Sequence, residues 1–176
     1  NLLYMGLDLA AGDFSKFPKY IFCIVMFGTG VFLAERFHSK YRQYGWRKIS
    51  TILEICLIAF ATFLPDSLNM IANPLFGLVC GLQSITFRVF HQISLPTINI
   101  NGNIQNAIQY ASRYIHTEDQ DSLQRASLYT TMIATYLAGI ILGAVLAKPM
   151  GHYVSMVSIA CLILALILMI PDSKTE

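Results

Sequence analysis

Long apolar stretches alternate with short polar ones along this chain, and several are near the length that crosses a bilayer. A bilayer core takes about 20 mostly apolar residues per helix, with roughly 17 to 25 observed. Five segments approach that length. Span A runs from about Tyr20 to Phe37, and span B from about Ile49 to Leu64, short and holding Glu54. Span C runs from about Met70 to Phe90 and contains Asn73, Pro74, Gln83 and Arg88. Span D covers about Leu128 to Leu146 and span E about Val154 to Ile170, neither with a charge. Irregular backbone is not tolerated against lipid, and alternating barrel strands are absent. The pattern predicts an all-α polytopic transmembrane helical bundle.

The stretch between C and D breaks the pattern. Gln92 to Asn103 reads QISLPTININGN, with a proline, several amides and β-branched alternation. An α-helix cannot continue past Pro96, and Asn101-Gly102 is a turn signal. From Asn103 the apolar positions Ile104, Ala107, Ile108, Ala111 and Ile115 recur at helical spacing, with Gln105, Asn106, Gln109 and Arg113 opposite. That predicts an amphipathic helix with Asn101, Gly102 and Asn103 as candidate caps. The acidic run Glu118, Asp119 and Asp121 then reads most simply as a solvated loop.

The chain's opening looks like a second copy of this element. Asn1-Leu2-Leu3, followed by Gly6, Leu7, Leu9 and Ala10, is similar to Asn103-Ile104-Gln105 and its helix. Gly30-Val-Phe-Leu-Ala34 in span A matches Gly143-Ala-Val-Leu-Ala147 in span D, and Pro-Asp-Ser recurs at 65–67 and 171–173. The expected organisation is two three-span repeats, with the first span missing upstream of Asn1. The first repeat would be 1–69 (partial, two spans) and the second 70–176, with a broken, amphipathic element at 91–116. An odd number of spans per repeat makes the two inverted, a plan that recurs among secondary transporters. Shared composition of apolar helices is the plainer source of the same likeness.

Composition strengthens the membrane reading. The 176 residues are 55% hydrophobic and 12% charged, against about 25% charged in an ordinary soluble domain. Mean hydropathy is +0.56. The net charge of +2 says little about partners; no nucleic-acid partner is expected. Cys23, Cys56, Cys80 and Cys161 all fall in apolar runs without metal-ligand spacing, so neither zinc nor a disulfide framework is expected. His38, His91, His116 and His152 are scattered, and no cofactor is implied.

Charge placement sets an expected orientation. Of the 12 lysines and arginines, nine (Arg36, Lys40, Arg42, Arg47, Lys48, Arg88, Arg113, Arg125 and Lys174) fall on one face if the spans alternate. Only Lys16, Lys19 and Lys148 fall on the other. The A–B loop, the C–D loop and the C-terminus are therefore expected in the cytoplasm.

Gly81-Leu82-Gln83-Ser84, Arg88, Leu95-Pro96-Thr97 and Asn101-Gly102-Asn103 with the helix after it resemble the YoaK-like family. These are bacterial multi-spanning membrane proteins classed as a domain of unknown function. The likeness covers essentially the whole chain and implies a further span upstream, in the bacterial cytoplasmic membrane. Ser84 stands where asparagine is usual in that family, and Asn101 where threonine usually precedes the glycine.

The candidate binding residues are Gln83, Arg88, Thr97, Asn101, Gly102 and Asn103. Gln83 offers donors and acceptors in mid-span, for a ligand or for a neighbouring helix. Arg88, one turn on, would snorkel to the interface or grip an anion. The Thr97–Asn103 break would be unsatisfied in lipid, so it lines water, contacts protein or lies at the surface. A helix starting there would offer N–H groups to an anion. Glu54, about 7 to 8 Å into span B at about 1.5 Å per residue, would bind a proton or cation, or pair with Arg47 or Lys48 at headgroup level; the latter is the preferred reading. Gly28, Gly30, Gly139 and Gly143 are expected at close helix packings.

No nucleophile–base pair, carboxylate dyad, metal cluster or phosphate loop is present, so no enzyme is expected. The favoured function is a small-solute transporter or permease-like protein, whose partners are the bilayer, an unidentified small solute and potentially a second copy. The alternative is a non-transporting membrane scaffold or assembly protein.

Overall fold

The computed structural model describes residues 2–41, 45–65, 68–90, 93–94 and 96–169. Its helices are α1 (Leu2–Ala10), α2 (Phe17–Lys40), α3 (Trp46–Thr62), α4 (Asn69–Thr86), α5 (Ile100–Thr117), α6 (Gln120–Met150) and α7 (Ser155–Leu168). A short antiparallel ladder joins β1 (Val89–Phe90) to β2 (Ile93–Ser94), and a 3-10 turn, Gly151–Val154, links α6 to α7. The fold is all-α apart from that ladder. Two stretches are long and apolar enough to cross a membrane, Phe17–Lys40 and Gln120–Leu168, and Met70–Thr86 is a shorter apolar helix.

The chain divides into two compact units, residues 1–86 with 155–176, and residues 87–154. In the first, α2 packs on α4, and α3 packs on α4 and α7. Pro18 lies in the first turn of α2, where a missing N–H costs nothing. The helix closes with His38 and Lys40 in its last turn, a favourable end for cations. Gly45, at φ 65°, turns the chain into α3, a backbone state that favours glycine. Ile58, Val79 and Leu162 form the apolar core of α3, α4 and α7, with Ile55, Leu57 and Ile159 around it.

The α2–α4 crossing rests on glycine. A Cβ on Gly81 would run into the Phe27 carbonyl and lie 2.9 Å from the Val31 nitrogen, and one on Gly77 would lie 2.9 Å from the Cys23 carbonyl oxygen. Small residues spaced four apart let helices approach this closely. Of the four glycines expected at packings, Gly30 is in this contact, whereas Gly28, Gly139 and Gly143 have open space around them. Gly77 and Gly81 take the role instead. A glycine marks a packing only where its face of the helix meets a neighbour, and that is a tertiary fact.

Span C was expected to run to Phe90, but α4 stops at Thr86 and the chain turns into β1. The β-branched and aromatic residues around the break favour extended pairing, with Val89 opposite Ser94 and Phe90 opposite Ile93.

In the second unit, α5 and α6 pack as a helical hairpin. Glu118 closes α5 in the left-handed region at φ 54°, its N–H bonded to the Tyr114 carbonyl. Asp119 caps α6, accepting from the Asp121 and Ser122 amides and from the Ser122 hydroxyl. Asp121 then pairs with Arg125 at 2.6 Å. The acidic run expected as a solvated loop is thus the joint between two helices. The face of α5 that meets α6 is partly polar: Asn103 is buried and Tyr110 stacks on Tyr129 at 5.9 Å. Its isoleucine ridge, Ile104, Ile108 and Ile115, is exposed.

Candidate functional site

Ser50 and Glu54 lie four residues apart on α3, so both project from one face of the helix. That face meets α4, and Ser50, Glu54 and Thr86 are each 0% exposed. Thr86 donates its hydroxyl to the Leu82 carbonyl at 2.8 Å, as a threonine within a helix commonly does. The Ser50 and Thr86 oxygens are 2.6 Å apart. Ser50 Oγ also lies 3.5 Å from Glu54 Oε1, and Glu54 Oε2 is buried with no hydrogen-bond partner. Neighbouring Thr51, likewise fully buried, donates to the Arg47 carbonyl at 2.9 Å.

Glu54 forms no ion pair with Arg47 or Lys48 among the described residues. The headgroup-level pairing expected from the sequence is therefore replaced by burial against α4. The reason is helical phase: Ser50, Thr51, Glu54, Ile58, Ala61 and Thr62 are the buried stripe of α3, and Glu54 belongs to it. At the far end of the same stripe, Thr62 donates to the Ile58 carbonyl and meets the Ser155 hydroxyl at 2.7 Å, tying α3 to α7.

A second polar group lies in the turn before α5. The helix begins at Ile100 and its cap is Asn99, whose side chain accepts from the Gly102 amide at 3.0 Å. Asn101, Gly102 and Asn103, expected as caps, lie inside the first turn; Asn99 holds the non-helical φ of −106° that a cap requires. Gly102 leaves room for the Asn99 side chain, which a Cβ there would meet at 2.9 Å. The Asn103 amide bonds the Asn99 carbonyl at 3.1 Å. The Gly102 and Asn103 amides are thus occupied by the chain itself.

Two side-chain oxygens are left over here, an amide acceptor and a hydroxyl that can donate or accept. Asn103, 2% exposed, donates Nδ2 to the Pro96 carbonyl at 3.0 Å. Its Oδ1 and the Thr97 hydroxyl are buried without partners. Such a pair can receive a hydrogen bond from water, a hydroxyl or an amide. Thr97, Gly102 and Asn103 are brought together, whereas Asn101 is exposed on the first turn. Gln83 is half-buried on α4, and Arg88 is exposed beyond that helix's end. Around α5, Arg113 and Arg125 sit 5.6 and 5.7 Å from the Tyr110 ring centroid, and the Tyr129 hydroxyl bonds the Ser94 carbonyl at 2.8 Å.

Ser50 and Thr86 escape a reading of the sequence alone. The Ser50–Glu54 spacing is a usable local signal, but Thr86 joins them only through the packing of α4 on α3.

These features define a helical protein with apolar surface on its longest helices and a carboxyl group sealed between α3 and α4. The chain belongs to the family described as protein of unknown function (DUF1275), whose model matches residues 1–170. No curated protein and no solved structure is detectably similar to it.

Proposed function

We propose that this chain is an integral membrane protein of the permease type, which moves a small solute through its helical bundle. The observation that carries the reading is Glu54, buried with one oxygen unbonded, in a protein whose long helices turn apolar side chains outward. Phe22, Val25 and Phe32 on α2 are exposed, as are Leu137, Ile140, Ile141 and Val145 on α6 and Leu164 and Ile167 on α7. Surface of this kind fits hydrocarbon rather than water. An ionisable side chain inside such a bundle is costly and usually serves a pathway or a partner.

The exposed isoleucine ridge of α5 supports the same reading, since an amphipathic helix with an apolar outer face suits the membrane interface. An inverted repeat belongs to the reading too, supported by element order: a helix followed by two apolar helices occurs as α1–α2–α3 and as α5–α6–α7. Solute contacts from Gln83, Arg88, Thr97, Asn101, Gly102 and Asn103, and a bacterial cytoplasmic-membrane location with the A–B and C–D loops inside, are parts of the same proposal.

The test is flux. Proteoliposomes are challenged with glycerol, urea, alanine and acetate, and shrinkage and recovery are followed by light scattering. Recovery for at least one solute should exceed that of protein-free vesicles and fall in Glu54→Gln. A membrane scaffold would instead show no flux with any solute, while the same substitution changed only stability in detergent. Cysteines placed at positions 43 and 120, with the native four replaced, should be labelled only from the cytoplasmic side.

A further inference from the structure

We propose that Glu54 is a proton-binding site, held as the neutral acid at the head of a hydrogen-bond chain that runs through Ser50 and Thr86 to the Leu82 carbonyl. Three contacts link these groups: Thr86 to the Leu82 carbonyl at 2.8 Å, Ser50 to Thr86 at 2.6 Å, and Ser50 to Glu54 Oε1 at 3.5 Å. Each hydroxyl owns a single hydrogen and can accept others. The Thr86 hydrogen is taken by the carbonyl, which can only accept. Ser50 then spends its own hydrogen on Thr86, the shortest contact of the three. With the hydrogens placed this way the Ser50 oxygen is left as an acceptor towards Glu54, and a protonated carboxyl group supplies the hydrogen for that contact, with the Thr86 hydroxyl also within reach of the same carboxyl.

Charge leads to the same result. A carboxylate removed from water without a partner is penalised by several kcal/mol. No lysine or arginine of the described residues pairs with Glu54, and a bound proton removes the charge without one. On α4, the titratable side chain within electrostatic reach of Glu54 is Cys80; no charged side chain of α2, α4 or α7 acts on it.

A metal ion suits the site poorly. Hydroxyl oxygens 2.6 Å apart are bonded to each other and admit no ion between them. One carboxyl and two hydroxyl groups also supply few of the roughly six to eight oxygens that calcium takes. A proton needs only the oxygens present. In the permease, on whose reading this last step rests, it would be the coupling ion: bound while Glu54 is buried against α4, and released when Glu54 meets water.

Infrared spectroscopy of the membrane-reconstituted protein tests the site without a transport assay. At pH about 7, well above the ordinary glutamate value of about 4.3, the wild type should show the carbonyl stretch of a protonated carboxylic acid. Glu54→Gln, isosteric and neutral, should lack it. Ser50→Ala should shift the band to higher frequency by removing its hydrogen-bond acceptor, which gives a second reading if Glu54→Gln does not fold. The band should be the same in sodium chloride and in choline chloride.

Absence of the band at neutral pH overturns the proposal, as does a band that sodium abolishes at constant pH, which would make this a metal site. The coupling role is read separately, from a pH-sensitive dye trapped in proteoliposomes under an imposed proton gradient. Proton entry should fall tenfold or more in Glu54→Gln. A band without proton entry would leave the proton site standing and overturn its coupling role.

Discussion

Gly30 of α2 and Gly81 of α4 meet backbone against backbone: a Cβ on Gly81 would lie 3.0 Å from the Gly30 Cα. The same contact fixes Leu82, the next residue, and Thr86, a little over one turn further along α4, because a helix seated by its glycines has little freedom to rotate. Thr86 in turn faces Ser50. The glycine contact between α2 and α4 therefore sets the register of the buried polar group between α3 and α4.

Gly81→Ala tests that relationship. Glycine to alanine within a helix ordinarily gains roughly 0.8–1.0 kcal/mol. At Gly81 the new methyl would strike the Phe27 carbonyl, backbone that cannot swing aside, so the sign should reverse to a loss of about 1–3 kcal/mol, as for other overpacked sites. Gly28→Ala, with nothing within 4 Å, should keep the ordinary gain. Thermal unfolding in detergent measures both. Equal melting of the two variants would mean that the helices do not meet at Gly81.

Thr86→Val keeps the shape of the side chain and removes its hydroxyl. Ser50 then loses its 2.6 Å partner inside a packed interface, and the expected loss is about 1–3 kcal/mol, the usual range when a buried donor or acceptor is orphaned. The double variant Ser50→Ala/Thr86→Val removes both groups and should cost less than the two single changes added together. Strict additivity in equilibrium unfolding would show that the two hydroxyls do not interact.

Much of this architecture is legible in the sequence because it follows from local periodicity. The apolar runs in 20–37, 49–64 and 128–146 became α2, α3 and α6, and the 3.6-residue pattern after Asn103 became α5. What was not legible depends on which faces meet. Ser50 and Glu54 read as a turn of an apolar helix until α4 supplies Thr86. Gly77 and Gly81 resemble Gly28 and Gly139 in sequence and differ only in having a neighbour. The break at Pro96 was legible, but the turn falls at Pro96–Asn99 and not at Asn101-Gly102, which lie in the first turn of α5, so the cap is Asn99.

Asn99→Ala should therefore destabilise α5 more than Asn101→Ala. Asn99 Oδ1 accepts from the Gly102 amide, and loss of a capping side chain costs typically about 1 kcal/mol. Asn101 is exposed within the first turn and makes no such bond among the described residues, so its replacement by a better helix former should be neutral or slightly stabilising. Hydrogen exchange at the Gly102 amide distinguishes the two. Equal protection in both variants would remove Asn99 from the capping role.

Acid should loosen the start of α6 through Asp119. The Ser122 hydroxyl, together with the Asp121 and Ser122 amides, holds the Asp119 carboxyl below its ordinary value. A group whose folded value is depressed stabilises the folded state above its unfolded value, about 3.9 for aspartate, and loses that contribution as pH falls through the lower folded value. Protection of the Asp121 and Ser122 amides, each measured against the Asp119→Asn variant at the same pH, should thus be higher in the wild type near neutrality and converge with the variant in acid. Asparagine still caps a helix but carries no charge to titrate, which makes it the right reference. A wild-type advantage that persisted undiminished to the most acid pH would show that the carboxylate's charge adds nothing to the cap.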